Sequence, residues 1–471
     1  MKPEQRKPEP VKSEPVEAGR GGGAGVFGRA GAVLRRARAW RLLPLLAAVA
    51  LLWRQPQWAH HALAGFLAAV FGLYLLRHLV LLTSALHPKA EFPRPKRELP
   101  TVTVLVPCHN EARVVDGLTR ALAALDYPAD RLDVVFVDDR SADATGDLLE
   151  RAAADRPRWR VLRRAPDAVG GKSAALNEVL ESVRGEITVV YDADHQPRPD
   201  SLRALVRVFD DPAVAAAQGR CVVRNPGDSL IARLVAVDYL CGYLVNMAGR
   251  RAAFGLPAYG GANCAVRTSV LRELGGWNTD SVTEDTDLTV RVWLSGRKVG
   301  YAEDAVDTEL AVTTLRGYWR QRYRWARGHQ QVCADYRGAL LRSRHFGPLG
   351  KVEATLFLYL YHVPVLCAVA LLLAALEASW PGLALTVPLW PVAPLMLAGP
   401  VLEIGGGLIR AGTRRREVLL LLLFPALFVV SMLLCTRALI DRLAGSGYSW
   451  VKTERTATRP NAAAAAAGSE L

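Results

Sequence analysis

The sequence predicts an α/β domain built on a parallel, doubly wound sheet and set between apolar segments that belong in a membrane. From residue 99 to 194, short β-branched runs alternate with amphipathic stretches, the pattern of strands joined by crossover helices. Three of the four predicted strands end in polar clusters, at 107–111, 138–139 and 192–194. Ligands of such sheets bind outside the carboxyl ends of the strands, so these groups converge on one edge. Long apolar runs lie on both sides of this region instead of being spread through it.

Composition agrees with a membrane protein carrying a water-soluble domain. Hydrophobic residues make up 51% of the 471, and mean hydropathy is +0.12. A net charge of +14 would suit nucleic acid, but the arginines cluster beside the apolar runs, as they do on the cytoplasmic flanks of membrane segments. Nucleic acid is therefore not an expected partner. The seven cysteines are odd in number and form no C-x-x-C, which argues against a disulfide framework or a zinc site and for a reducing compartment.

Residues 1–41 are charged and rich in Pro and Gly, and are expected to be a disordered cytoplasmic tail. Two apolar runs, 42–53 with Pro44 inside it and 62–82, then predict a membrane hairpin over 42–86. The soluble domain occupies 98–335, with strands at TVTVLVP, VVFVDD, WRVLRR and ITVVYDAD and helices starting near Glu111, Ser141 and Lys172. An interfacial helix is expected over 336–350, and two membrane helices over 351–409. A third apolar run, 418–440, poses a conflict, because three crossings would place the basic C-terminal region outside. We expect that run to lie at the interface or to re-enter. Residues 461–471 read as a disordered tail.

The chemistry centres on VVYDADHQP. Asp192 and Asp194, one residue apart at a strand mouth, offer hard oxygens suited to Mg²⁺ or Mn²⁺ and to the phosphates such ions carry. No Walker motif accompanies them; Gly170-Gly171-Lys172-Ser173 imitates only its end, so an ATPase is not expected. Lys172 either meets a diphosphate or starts a solvated helix. Gly260 and Gly261 permit close backbone approach. Thr283-Glu284-Asp285 places a carboxylate at a helix opening, where Asp285 serves as a general base, or where Thr283 and Glu284 cap the helix and Asp285 sits favourably at its positive end. Gln321, Arg324 and Trp325, spaced Q-x-x-R-W, supply an amide, a bidentate phosphate binder and a flat ring; a basic amphipathic helix at a membrane surface is the rival reading.

In this order and spacing, VDD, DAD, TED and QRYRW resemble the membrane-integrated, processive members of glycosyltransferase family 2, the group of cellulose, hyaluronan, chitin and poly-N-acetylglucosamine synthases. The match runs from about Val102 to Arg455. It implies a GT-A domain on the cytoplasmic side of the inner membrane in a multi-pass protein. It implies an inverting, metal-dependent transfer of a hexose or N-acetylhexosamine from a UDP-sugar to a growing β-linked polysaccharide, with translocation across the membrane and, as partners, membrane lipid and secretion-complex subunits.

By the same resemblance, Pro107, Asn110, Glu111, Asp139 and Lys172 bind the nucleotide. Asp194 holds the metal, Asp192 binds nucleotide or supports the metal, and Asp285 is the base. Gln321 and Arg324 hold the diphosphate, while Trp325, with Glu284 and Gly261, faces the acceptor. Trp450, Lys452, Thr453 and Arg455 are similar to the loop that closes over bound UDP. The chain has only about four membrane segments and no regulatory C-terminal domain, a departure that argues against cellulose itself. Two alternatives stay open: a glycolipid synthase, and an inactive nucleotide-binding scaffold.

Overall fold

The computed structural model describes residues 57–87, 98–379, 392–413 and 415–446. The run 42–53, the tails and the closing-loop residues Trp450, Lys452, Thr453 and Arg455 lie outside them. The chain opens with helix α1 (Gln57–Leu86), a single uninterrupted apolar helix. The domain then runs β1 (Val102–Cys108), α2 (Val115–Ala123), β2 (Leu132–Asp138), α3 (Thr145–Ala153), β3 (Trp159–Arg163), α4 (Lys172–Leu180), β4 (Ile187–Val190), β5 (Gln196–Pro197), α5 (Ser201–Arg207) and β6 (Val214–Val223). After β6 come α6 (Leu230–Cys241), a π-helical segment (Gly242–Met247), α7 (Ala248–Phe254), β7 (Cys264–Arg267), α8 (Thr268–Glu273), α9 (Glu284–Leu294) and β8 (Lys298–Glu309). The rest is helical: α10 (Leu315–Arg342), α11 (Pro348–Leu358), α12 (Val363–Ser379), α13 (Val392–Arg410) and α14 (Phe424–Leu443).

The four predicted strands form, and β1 pairs in parallel with β2 and β4. The sheet as a whole is mixed, not purely parallel, with the order β3-β2-β1-β4-β7-β6-β8-β5. β7 runs antiparallel to both β4 and β6 because the chain returns to the sheet from the α6–α7 excursion. Alternation along the strands divides two cores. Leu105, Val135 and Val137 face α4 and the α9–α11 side, whereas Val104, Val106 and Phe136 face α2, α3 and α5.

Among the described residues three helical stretches are long and apolar enough to cross a membrane: His61–Leu86, Leu230–Phe254 and Leu419–Leu443. The run expected at an interface thus folds as a helix of spanning length. The stretch Leu230–Phe254, which sequence reading had assigned to the soluble domain, has membrane character as well. α11 and the start of α12 meet at a 46° bend and count as one further span if taken together. A buried ionic knot ties α1 to the domain. Glu353 of α11 accepts from Arg77 Nε and Nη2 and from Arg250 Nε, each at 2.8 Å.

Candidate active site

The β1 and β2 ends meet as their register requires, with Cys108 opposite Asp138. Asp139, one residue on, is buried and holds three donors: Gly171 N at 2.9 Å, Arg164 Nη1 at 2.7 Å and Arg140 Nε at 3.0 Å. Burial would raise this carboxyl, but the Gly171, Arg140 and Arg164 hydrogen bonds hold it below the ordinary aspartate value. Asn110, in the left-handed region at φ 53°, closes the neighbouring loop. Its Oδ1 accepts from Ala142 N at 2.7 Å and its own N–H donates to Ser141 Oγ at 2.9 Å.

Lys172 starts α4 and ties three motifs together. Its Nζ donates to Asp192 Oδ1 at 2.5 Å and to the Gly261 carbonyl at 2.6 Å, and lies 3.8 Å from Glu284 Oε1. Burial alone would lower the ammonium's pKa; Asp192 and Glu284 outweigh it and raise it. Burial raises Glu284, with Lys172 opposing. Gly261 is a glycine for a steric reason. A Cβ there would stand 3.3 Å from Lys172 Nζ and 3.4 Å from Asp285 Oδ2.

Asp285 lies in the first turn of α9, and its Oδ1 accepts from Thr286 N at 2.6 Å and from Thr286 Oγ1 at 3.2 Å. Thr283 makes no side-chain cap and its buried Oγ1 has no partner, while Glu284 and Asp285 lie in the first turn, at the positive end of α9. Gln321, Arg324 and Trp325 recur at helical spacing along α10, so they share a face. Trp325 is flanked by Tyr239, with ring centroids 6.5 Å apart and 27° between planes, and by Arg322 at 4.4 Å from the ring centre.

One cavity of about 610 Å³ joins these parts, a volume in the range of small-molecule sites. Its walls include Pro107, Glu111, Asp139, Lys172, Asp192, Gly261, Glu284, Asp285, Gln321, Arg324 and Trp325. Two sequence-predicted residues, the exposed Asn110 and the buried Asp194, are not among those that line it. Asn110 serves its loop, and Asp194 is 1% exposed with Oδ2 accepting from Leu310 N at 3.1 Å.

A divalent cation fits the hard-oxygen chemistry of this corner. Asp192, 29% exposed in its side chain, presents a carboxylate at the cavity, while Asp194 is buried outside its lining. His195 is taken up by carboxylates, Nδ1 by Asp307 and Nε2 by Glu309 at 2.9 Å. Burial opposes its protonation, but the two acids outweigh it and push its pKa well up.

Sequence reading missed several wall residues. His109, next to the expected Pro107 and Glu111, makes a 2.6 Å Nδ1 contact with the Asp139 carbonyl. His329 lies one turn beyond Trp325 on α10, with Nε2 3.1 Å from Thr286 Oγ1; the helical spacing from Trp325 was the signal available for it. Gln321 Oε1 and His329 Nδ1 are buried without hydrogen-bond partners, which in a native fold calls for an explanation such as a ligand.

Residues 100–328 match the family model described as "Glycosyltransferase like family 2". The beta-monoglucosyldiacylglycerol synthase of Nostoc is 31% identical over 369 residues, 76% of this chain and 77% of the relative. The chain belongs to glycosyltransferase family 2. Another relative in the family, the poly-beta-1,6-N-acetyl-D-glucosamine synthase of Staphylococcus aureus, is 25% identical over 52% of this chain and 59% of its own length. Among solved structures, the mannosyltransferase PcManGT from Pyrobaculum calidifontis, in complex with GDP-Man and Mn²⁺, covers 82% of this chain and all of its own, with a TM-score of 0.59 and 26% identity. The fold is accordingly the α/β, GT-A-like one, and the chain is a glycosyltransferase.

Proposed function

We propose that this family 2 enzyme inverts configuration as it transfers a hexose or N-acetylhexosamine from a nucleoside-diphosphate sugar, a UDP-sugar in our reading, to a hydroxyl presented at the membrane. The observation that carries the reading is the single cavity in which Asp285, the Lys172–Asp192–Glu284 cluster and the Q-x-x-R-W face of α10 meet. Asp285 takes the proton of the attacking hydroxyl, and the sugar is added with β configuration in one displacement. Arg324 and Gln321 bind the leaving diphosphate, the guanidinium as a bidentate donor. Asp192 and Asp194 would hold Mg²⁺ or Mn²⁺, which would supply positive charge against the diphosphate. Pro107, Glu111 and Asp139 form the nucleotide's end of the cavity. The domain faces the cytoplasm of a multi-pass inner-membrane protein, in keeping with the arginine clusters beside the apolar runs.

For the acceptor, geometry favours a membrane lipid, with a glycolipid as product. No described residue of α12 or α14 lines the cavity, nor any residue of α1 before His78 or of α13 before Pro400, so it ends part-way into the apolar helices. The polysaccharide product expected from sequence is the second reading, supported by the Q-x-x-R-W segment itself. Membranes containing the protein, Mn²⁺ and a panel of labelled UDP- and GDP-sugars decide between them. Label in the solvent extract supports a glycolipid. Label in a large, glycosidase-sensitive product supports the polymer, and label in neither above protein-free membranes removes the transferase reading.

A further inference from the structure

The cavity does not stop at Trp325. It continues between α1, the π-helical segment and α13, where His78, Asn246, Glu403 and Ile404 line it. Three irregularities converge on this end. The segment Gly242–Met247 is π-helical, a distortion found mostly at functional sites. Pro400 interrupts the interior of α13. His78 and Glu403, on two predominantly apolar helices, form a close Nδ1–Oε2 pair, and Asn246 hydrogen-bonds the same carboxylate. Ionisable groups at such depth are costly and mark substrate paths. At 1.5 Å per residue, His78 lies about 12 Å before the end of α1.

The two side chains are each 12% exposed, which leaves them contact with the cavity. The helices around them are closed. A Cβ on Gly399 would come within 2.4 Å of the His78 ring, and one on Gly406 within 2.1 Å of Leu82, so α13 lies directly on α1. The adjacent Arg77 gives Nε and Nη2 to Glu353, its Nη1 is buried without a partner, and it is not part of the wall. The His78–Glu403 pair joins these two helices, and the same side chains also border the cavity together with Asn246.

Building on the lipid-acceptor reading above, we infer that the His78–Asn246–Glu403 end of the cavity binds the uncharged, hydroxyl-bearing headgroup of a membrane lipid and delivers its hydroxyl to Asp285. The amide of Asn246, held by Glu403, donates to an ester carbonyl of the headgroup and leaves its hydroxyl for Asp285. An anionic headgroup does not suit the site. Asp238, Glu309 and Glu403 line this half, and its guanidinium, Arg322, is already paired with Asp238. Neutral glycerolipids are selected over polyprenyl phosphates on this ground.

The test uses full-length protein in mixed micelles of phosphatidylcholine with either dioleoylglycerol or undecaprenyl phosphate, and the labelled nucleotide sugar selected by the panel. Wild type is expected to transfer to dioleoylglycerol at least tenfold better than to the phosphate lipid. Glu403→Gln, which keeps the size of the side chain, is expected to raise KM for dioleoylglycerol at least tenfold, with donor affinity by equilibrium binding unchanged. Ile404→Trp, which fills the chamber while keeping both members of the ion pair, is expected to do the same. Unchanged KM in both variants, or preference for the phosphate lipid, overturns the inference while leaving the lipid reading in place. Wild type that labels polymer and no lipid overturns the lipid reading itself.

Discussion

Replacing Lys172 by Met keeps the stem and removes the ammonium, and the structure sets the size of the effect. Nζ makes contacts of 2.5 Å to Asp192, 2.6 Å to the Gly261 carbonyl and 3.8 Å to Glu284. Removing one partner of a buried pair costs about 3–5 kcal/mol. Here the side chains are 18%, 29% and 13% exposed, so water screens part of the loss and about 2–3 kcal/mol is expected. For a domain of this size that is a fall in Tm of roughly 4–10 °C.

The loss depends on pH, and its sign follows from Glu284. Its folded pKa is raised, so its contribution to stability is most favourable at low pH and is lost as pH rises from the ordinary glutamate value through the folded one. Without Lys172 the folded value rises further. The deficit of the variant is therefore larger at pH 8 than at pH 5. Thermal unfolding of detergent-solubilised protein at both values, with donor binding measured alongside, tests this; donor affinity should fall at least tenfold. A Lys172→Met protein with wild-type Tm at both pH values and wild-type donor affinity would refute the assignment of Lys172 as the joint of the three motifs.

Other outcomes follow from the same contacts. Gly261→Val should reduce transfer at least a hundredfold with little loss of stability, because its side chain enters the space between Lys172 and Asp285; kinetics with purified protein check it. Glu353→Gln leaves Arg77 and Arg250 without their shared carboxylate and should destabilise the protein by about 3–5 kcal/mol, read as a lowered Tm in detergent. Burial lowers His329 to about 4, so it is neutral at physiological pH, and stability it contributes above its unfolded value is lost as pH falls toward 4. His329→Phe should flatten the wild-type loss of Tm between pH 6.5 and 4.

The sequence exposed the β1, β2 and β4 ends because alternating β-branched residues and terminal acids are local signals. It also brought Gln321, Arg324 and Trp325 together, since helical spacing alone puts them on one face. It did not reveal that β7 is antiparallel, because the reversal is decided by the α6–α7 excursion and not by the four residues Cys264–Arg267 themselves. Asn110, named a nucleotide ligand by the family resemblance, fastens a loop through a positive-φ turn that the sequence alone did not disclose. His78 and Glu403 were out of reach for a different reason. They are 325 positions apart, and nothing local tells a snorkelling histidine from one turned toward a cavity.

Asp285→Asn tests the central claim most directly, since it preserves the hydrogen bonds that Oδ1 accepts from Thr286 and removes the base. The account predicts transfer reduced at least a thousandfold, with nucleotide-sugar affinity within about threefold of wild type. Transfer within tenfold of wild type, or loss of donor binding together with transfer, would contradict it.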